Sequence, residues 1–197
     1  MTESQNLDRV WTVPNVLSAL RFLLSIVFFV AVGQGWNSTA VWIFVVAVST
    51  DWIDGWWARR FNQISRLGRM FDPLVDKVII CGAYVLLCAS STSVILPWMA
   101  VVVVVRELVV TAIRSEMERT GHDFSAGRSG KFKMVLQCLA VILELSSRAW
   151  VFPEGGVVDS RSIVTVVAWA AVIATVWSGL EYAFAARKLI EGEDSDA

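Results

Sequence analysis

Hydrophobic residues run in six long stretches along the chain, and short polar or glycine-containing segments separate them. A helix needs roughly 20 apolar residues to cross a bilayer. The stretches lie at about Val16–Val32, Thr39–Arg60, Met70–Ala89, Val94–Arg119, Lys131–Leu145 and Ile163–Leu189. The β-branched run Val101–Val105 is also predicted to be helical, because an isolated strand cannot satisfy its backbone groups in lipid. The pattern predicts an all-α, polytopic membrane protein built as a six-transmembrane-helix bundle.

The segments around these spans are short and polar. An amphipathic piece at about Val10–Val13 precedes the first span and is predicted to lie beside the membrane, and Gly33 to Asn37 predicts a turn. Glu144, near the outer end of the fifth span, is predicted to be interfacial. Because no sequence repeat or second domain is visible, residues 1–190 are predicted to form a single six-helix domain. Residues 191–197 form an acidic tail.

Composition supports a membrane protein. Of the 197 residues, 56% are hydrophobic and only 18% are charged, which excludes disorder and is unusual for a soluble domain. Ten tryptophans fit a protein with many membrane–water boundaries. The three cysteines lie in apolar runs, and their odd number argues against a disulfide framework. No nucleic-acid partner is predicted.

The distribution of Lys and Arg predicts the orientation of the chain. Basic residues near membrane ends favour the cytoplasmic side. With both termini in the cytoplasm, only Arg148 and Arg161 near the span ends fall on the opposite side. The sequence therefore predicts an integral inner (cytoplasmic) membrane protein whose active site faces the cytoplasm.

Four aspartates interrupt the second and third apolar stretches. Asp51 and Asp54 are three residues apart, and Asp72 and Asp76 are four apart, so each pair shares one face of a helix. If the two spans pack as neighbours, both pairs can point into one cleft. Four carboxylates that close would repel one another, and divalent cations would remove that repulsion. An all-oxygen cage suits Mg²⁺ or Mn²⁺, although pairing with Lys or Arg and an ion pathway in a transporter are alternatives.

The aspartates belong to a longer pattern, Asp51-x2-Asp54-Gly55-x2-Ala58-Arg59-x8-Gly68-x3-Asp72-x3-Asp76. With eight fixed positions at fixed spacing, this stretch resembles the signature of the CDP-alcohol phosphatidyltransferase family. Further segments are similar to the bacterial subgroup that uses glycerol 3-phosphate: Pro14-Asn15 with Arg21, Arg106-Glu107 with Arg114, Gly130-Lys131-x-Lys133, and Glu181-Tyr182 before Ala185-Ala186-Arg187. The resemblance covers about residues 12–188. Ser18 and Met134 depart from it, because threonine is common at both positions.

The resemblance implies a reaction in which CDP-diacylglycerol and glycerol 3-phosphate give phosphatidylglycerophosphate and CMP. It implies a two-metal site of Mg²⁺ or Mn²⁺ with Asp51, Asp54 and Asp72 as ligands. Asp76 is expected to contact a metal as well, and it is the candidate general base for the glycerol hydroxyl. The implied partners are the two substrates, the membrane and a second copy of the chain in a homodimer.

Small and basic residues complete the expected site. Asn15, Gly55, Ala58, Arg59 and Gly68 are expected to bind CDP-diacylglycerol, since small residues let its nucleotide and phosphates approach the helices. The acceptor phosphate needs fixed cations, and the candidates are Arg106, Arg114, Lys131, Lys133 and Arg187. Membrane anchoring by these cations is the alternative explanation.

Two rival functions remain open at this point. The first is a transferase of the same family with another acceptor, such as inositol phosphate. The second is a divalent-cation transporter that uses the same carboxylates, although transport gives no reason for the small residues and Arg59 at their fixed spacing.

Overall fold

The computed structural model describes the backbone of residues 13–61, 66–119, 128–150 and 160–193, and the side chains of residues 16–50, 74–75, 77–117, 129–150 and 161–187. The described residues form helices and no strand, which confirms the all-α prediction. The helices are α1 (Val13–Gly33), α2 (Asn37–Phe61), α3 (Arg66–Cys88), α4 (Pro97–Arg119), α5 (Arg128–Ala149) and α6 (Ser160–Glu193). Residues 10–12 of the predicted amphipathic segment lie outside the described residues.

The helix ends differ from the predicted spans mainly in the second half of the chain. Helix α5 continues to Ala149 rather than ending near Leu145, and α6 continues to Glu193, beyond the predicted start of the tail. The prediction that Glu144 is interfacial is wrong, because this side chain is only 1% exposed. A helix that continues for another turn past Glu144 keeps that position inside the packed structure. The assignment of residues 1–190 to one domain stays a prediction.

The turn between α1 and α2 is set by its backbone. Gly35 has a φ of 76°, a left-handed conformation that glycine adopts without steric cost. Its N–H donates to the carbonyl of Val32 at 3.0 Å, and the Trp36 N–H donates to the carbonyl of Ala31 at 2.8 Å. This pair of bonds is the Schellman motif, which satisfies the last carbonyls of a helix. The predicted turn at Gly33 to Asn37 is confirmed.

Residues 1–87 and 145–152 form one compact unit. Helix α1 packs on α2 through the buried rings of Phe28 and Phe44, whose centroids are 5.3 Å apart. At Gly82 on α3, an added Cβ would collide with the ring of Phe29 on α1. Arg148 donates from Nη2 to the carbonyl of Leu87 at 3.3 Å, where a cation near the end of α3 complements the helix dipole. The absence of a side chain at Gly82 thus lets α3 approach α1, and the Phe28 and Phe44 rings hold α1 against α2.

Residues 88–144 and 153–197 form the second compact unit. Helix α4 packs against α6, and the rings of Trp98 and Trp169 lie 5.3 Å apart. Helix α5 joins them through Gln137, whose Nε2 donates to the Thr175 Oγ1 at 2.9 Å. Arg161 donates to the carbonyl of Thr92 at 3.2 Å, which ties the start of α6 to the segment before α4.

The described helices expose many large apolar side chains, and they bury several polar ones within a mainly apolar core. On α1, Leu23 is 58% exposed while Arg21 is 2% exposed; on α6, Trp177 is 70% exposed while Thr175 is fully buried. A soluble protein rarely exposes so much apolar surface. Two stretches, Val16–Gly33 and Arg161–Arg187, are long and apolar enough to cross a membrane. The other four predicted spans stay predictions.

We expect Gly82→Ala to be less stable than Gly33→Ala by about 1–3 kcal/mol, the usual cost of overpacking. The added methyl group meets the Phe29 ring at position 82, whereas nothing lies within 4 Å at Gly33. Gly82 lies inside α3 and Gly33 ends α1, so the gain in helix propensity is at least as large at position 82 and cannot explain a loss of stability there. Thermal unfolding in detergent measures it. Phe29→Leu should recover part of the loss, and equal stability of the two alanine variants would contradict this packing.

Candidate functional site

The backbone places the aspartate motif on two helices. Helix α2 contains Asp51, Asp54, Gly55, Ala58 and Arg59, helix α3 contains Gly68, Asp72 and Asp76, and α1 contains Asn15. The helical backbone confirms the premise that the members of each aspartate pair share a face. The side chains at these positions lie outside the described part of the structure, so the convergence of the nine residues on metal and nucleotide stays a prediction.

Carboxylate chemistry suits the metal that the motif predicts. Hard divalent cations take oxygen ligands, and the motif offers four carboxylates on continuous helices. Among the residues whose side chains are described, no three His, Cys, Asp or Glu side chains lie together as a metal site. The proposed ligands are the four aspartates of α2 and α3, which lie outside that set.

A group of charged side chains lies inside the second unit, and we call it the basic cluster. It consists of Arg106, Glu107 and Arg114 on α4, Lys133 on α5 and Tyr182 on α6. Glu107, Lys133 and Tyr182 are 5–7% exposed, so the cluster belongs to the interior of this unit. Buried charges are costly unless they are paired, which makes their partners informative.

Arg106 is held on one edge only. Its Nη1 donates to Oε1 and Oε2 of Glu107 at 3.3 and 3.4 Å. Its Nε and Nη2 are buried and have no hydrogen-bond partner among the described residues. The side chain also packs closely on α6, where a Cβ at Gly179 would lie 3.1 Å from the Arg106 Cγ. A fixed guanidinium is thus left with two donor nitrogens on its other edge that no described residue satisfies.

Arg114 lies two helical turns further along α4 and shares an aromatic partner with Arg106. Its Nη2 donates to the Tyr182 hydroxyl at 3.2 Å, and its Nε is buried without a partner among the described residues. The Cζ atoms of Arg106 and Arg114 lie 5.7 and 5.9 Å from the centroid of the Tyr182 ring. Both guanidinium groups therefore make cation–π contacts with one ring.

The arrangement is suited to binding an anion. The Nε and Nη2 of a guanidinium form a fork that matches two oxygens of a phosphate or carboxylate. Arg106 offers this fork, and Arg114 adds a third donor beside the same ring. A buried donor without a partner costs about 1–3 kcal/mol. An anion with several oxygens would satisfy all three donors together.

The other predicted phosphate-binding cations lie in different environments. Lys133 is 6% exposed, and its Nζ makes a hydrogen-bonded salt bridge with Oε1 of Glu107. Lys131 at the start of α5 and Arg187 near the end of α6 are exposed. The structure thus brings Arg106, Arg114 and Lys133 into one cluster. Phosphate binding by all five predicted residues stays a prediction.

The sequence alone assigns no role to Gln137 or Ser129. It marks Tyr182 only through the similarity of Glu181-Tyr182 to the bacterial subgroup. Gln137 is 1% exposed and lies one turn after Lys133, and its Oε1 has no partner among the described residues. Ser129 also has a buried hydroxyl without a partner there. Polar residues at Thr175, Ser178 and Tyr182 recur every three or four positions on α6, and that spacing was the available signal.

Comparison with known proteins agrees with this architecture and motif. A profile of the family described as CDP-alcohol phosphatidyltransferase matches residues 11–177. The chain is 34% identical over 183 residues to the CDP-diacylglycerol–glycerol-3-phosphate 3-phosphatidyltransferase of Escherichia coli (strain K12), covering 90% of this chain and 96% of that protein. It is 33% identical over 144 residues to the enzyme of the same name in Bacillus subtilis (strain 168), and this match covers 71% of this chain and 69% of that protein.

The match extends from two residues before α1 to the middle of α6, so it includes the aspartate motif and most of the basic cluster. With the two relatives above 30% identity over most of their length, the chain belongs to the CDP-alcohol phosphatidyltransferase family.

Proposed function

We propose that this protein transfers the phosphatidyl group of CDP-diacylglycerol to glycerol 3-phosphate, giving phosphatidylglycerophosphate and CMP. The names of its relatives give both substrates. The observation that carries the proposal is the set of buried donors on Arg106 and Arg114 that have no partner among the described residues. The acceptor is a phosphate monoester, and these donors suit a doubly charged phosphate.

The aspartate motif serves the lipid donor in this proposal. Asp51, Asp54, Asp72 and Asp76 hold two Mg²⁺ or Mn²⁺ ions. When bound, such ions neutralise charge on the diphosphate and on the leaving CMP. Asn15, Gly55, Ala58, Arg59 and Gly68 bind CDP-diacylglycerol, where small residues admit the nucleotide and Arg59 contacts a phosphate. The positive charges of the metal ions and of Arg59 thus balance the negative charges of the diphosphate.

Proton transfer falls to Asp76. Its carboxylate takes the proton from the glycerol hydroxyl as that oxygen bonds to the phosphatidyl phosphorus. The bond from that phosphorus to the CMP oxygen breaks, and CMP leaves with the electron pair. A general base must lie within hydrogen-bond reach of the proton it removes, and the position of Asp76 on the same helix face as Asp72 supports this role.

The acceptor is held by cations of the second unit. Arg106 and Arg114 bind the phosphate of glycerol 3-phosphate directly, because their buried N–H donors lack other partners among the described residues. Lys133 adds positive charge within the basic cluster. Lys131 and Arg187, which are exposed, attract the anion as it arrives from water. An isolated surface cation would contribute far less than the buried pair.

The same proposal places the enzyme in the inner (cytoplasmic) membrane as a homodimer, with six spans and both termini in the cytoplasm. The excess of Lys and Arg near one set of span ends supports this orientation. The apolar exposed surfaces of α1 and α6 support residence in lipid. An active site on the cytoplasmic side gives a soluble phosphate monoester direct access.

Purified protein in detergent should release CMP from CDP-diacylglycerol when glycerol 3-phosphate and Mg²⁺ or Mn²⁺ are present. Chelation should stop the release, and added metal should restore it, because carboxylates alone cannot neutralise the diphosphate. Release with inositol phosphate in place of glycerol 3-phosphate would move the acceptor to the rival transferase. Cation flux in vesicles without CMP release would favour a transporter.

Asp72→Asn should abolish turnover while the protein still inserts into membranes. The amide keeps the size of the side chain but removes the negative charge that the metal needs. Metal-dependent CMP release measures the loss, and the elution profile in detergent checks folding. Asp123→Asn, outside the motif, is the matched control and should keep normal activity. Retained turnover in Asp72→Asn would remove this residue from the metal site.

Arg106→Ala should raise the KM for glycerol 3-phosphate about ten- to hundredfold, the value of losing a hydrogen-bonded charge. Arg106→Lys should give a smaller rise, because it keeps the charge but loses the fork. Steady-state CMP release at varied glycerol 3-phosphate measures both. Arg161→Ala removes an exposed guanidinium at the start of α6 and serves as the control. An unchanged KM in Arg106→Ala would refute acceptor contact there.

A further inference from the structure

Glu107 is the only carboxylate in the basic cluster, and its contacts point to a specific task. We propose that Glu107 is a positioning residue, which turns the Arg106 guanidinium so that its Nε–Nη2 edge faces the acceptor phosphate. This inference rests on the proposed function, because it deepens the account of the same acceptor site. It concerns a residue that does not itself touch the substrate.

Glu107 occupies one end of the Arg106 guanidinium. Both carboxylate oxygens accept from Nη1, at 3.3 and 3.4 Å. A guanidinium has five N–H donors in one rigid plane, so fixing one end fixes where the others point. The Nε–Nη2 edge lies away from this contact, and both of its atoms are buried without a partner among the described residues.

The Glu107 carboxylate is itself held by a residue of another helix. Lys133 on α5 makes a salt bridge with Oε1 of Glu107, so the carboxylate is fixed from a second helix. With a side-chain exposure of 9%, Glu107 is shielded from water that could compete for these contacts. Its position is therefore set by tertiary structure rather than by Arg106 alone.

Tyr182 restrains the same guanidinium from α6. The Tyr182 ring lies 5.7 Å from the Arg106 Cζ, and the hydroxyl of the same tyrosine accepts from Arg114. Glu107 thus contacts the Nη1 of Arg106, while the Tyr182 ring makes a cation–π contact with the guanidinium and connects it to the second arginine. Two independent restraints remove most of the freedom of a long side chain before the phosphate arrives, which lowers the cost of binding.

The charges of the cluster agree with this role. Arg106, Arg114 and Lys133 carry three positive charges, and Glu107 carries one negative charge, which leaves two net positive charges. A phosphate monoester carries nearly two negative charges at neutral pH, since its second pKa is about 6. Because Lys133 neutralises Glu107, the carboxylate can orient Arg106 without cancelling the charge that attracts the acceptor.

The test is Glu107→Gln in the full-length enzyme. Loss of orientation should raise the KM for glycerol 3-phosphate about tenfold, while the KM for CDP-diacylglycerol stays within about twofold. Calorimetric titration with glycerol 3-phosphate should show the same weakening. The sign is diagnostic, because removing a negative charge near a phosphate would tighten binding if charge alone mattered. Tighter or unchanged binding would overturn the proposal.

Two further variants keep the test decisive. Glu116→Gln makes the same chemical change at an exposed position on α4 and should leave both KM values unchanged. Glu107→Asp keeps the charge but shortens its reach, so it should give a smaller rise; if Glu107→Gln does not fold, normal binding by Glu107→Asp overturns the proposal.

The titration also separates this proposal from the proposed function. If the wild type binds glycerol 3-phosphate but releases no CMP, the proposed function fails, and weaker binding by Glu107→Gln still supports positioning. If CMP release is normal and Arg106→Ala weakens binding while Glu107→Gln does not, only positioning fails. If the wild type neither binds glycerol 3-phosphate nor releases CMP with it, both proposals are wrong.

Discussion

Burial of cationic donors that lack hydrogen-bond partners among the described residues is the constraint on which the acceptor site depends. These donors are the Nε and Nη2 of Arg106 and the Nε of Arg114. Such donors lower stability unless a ligand supplies acceptors. The folded protein holds them by packing Arg106 against α6 near Gly179 and by cation–π contacts of both guanidinium groups with Tyr182. The stability lost to these unsatisfied donors is therefore recovered when an anion binds to them.

The donor side of the reaction depends on the opposite charge. Four carboxylates on α2 and α3 would repel one another without a cation. The aspartate motif lies in the first compact unit, and the basic cluster lies in the second. In the proposed reaction each set binds a different component: the carboxylates bind the metal ions that neutralise the diphosphate, and the arginines bind the acceptor. The lipid donor thus requires the aspartates, and the acceptor requires the arginines.

The sequence predicts the helices well because the physical signal repeats over many residues. Long apolar stretches bounded by glycine and polar residues predict α1 and α2, and the turn at Gly35 follows from local backbone chemistry. The end of α5 is less predictable, since Ser146 and Ser147 have weak preferences and tertiary packing decides. For the same reason Glu144 is buried although its position in the sequence is typical of an interface.

The candidate site is predictable in type but not in detail. Spacing places Arg106 and Arg114 on one helix face, but it cannot distinguish buried Lys133 from exposed Lys131, which lies only two positions away. The contact of Glu107 with Lys133 joins residues 26 positions apart, and Arg114 meets Tyr182 across 68 positions. Such pairings depend on how α4, α5 and α6 pack together.

A structure of the enzyme with glycerol 3-phosphate bound tests the central claim most directly. The account predicts that the phosphate oxygens lie about 2.8 Å from Nε and Nη2 of Arg106 and from Nε of Arg114. Glu107 should still contact the Nη1 of Arg106 in that complex. A phosphate bound elsewhere, with these three donors paired to protein groups instead, would contradict the account.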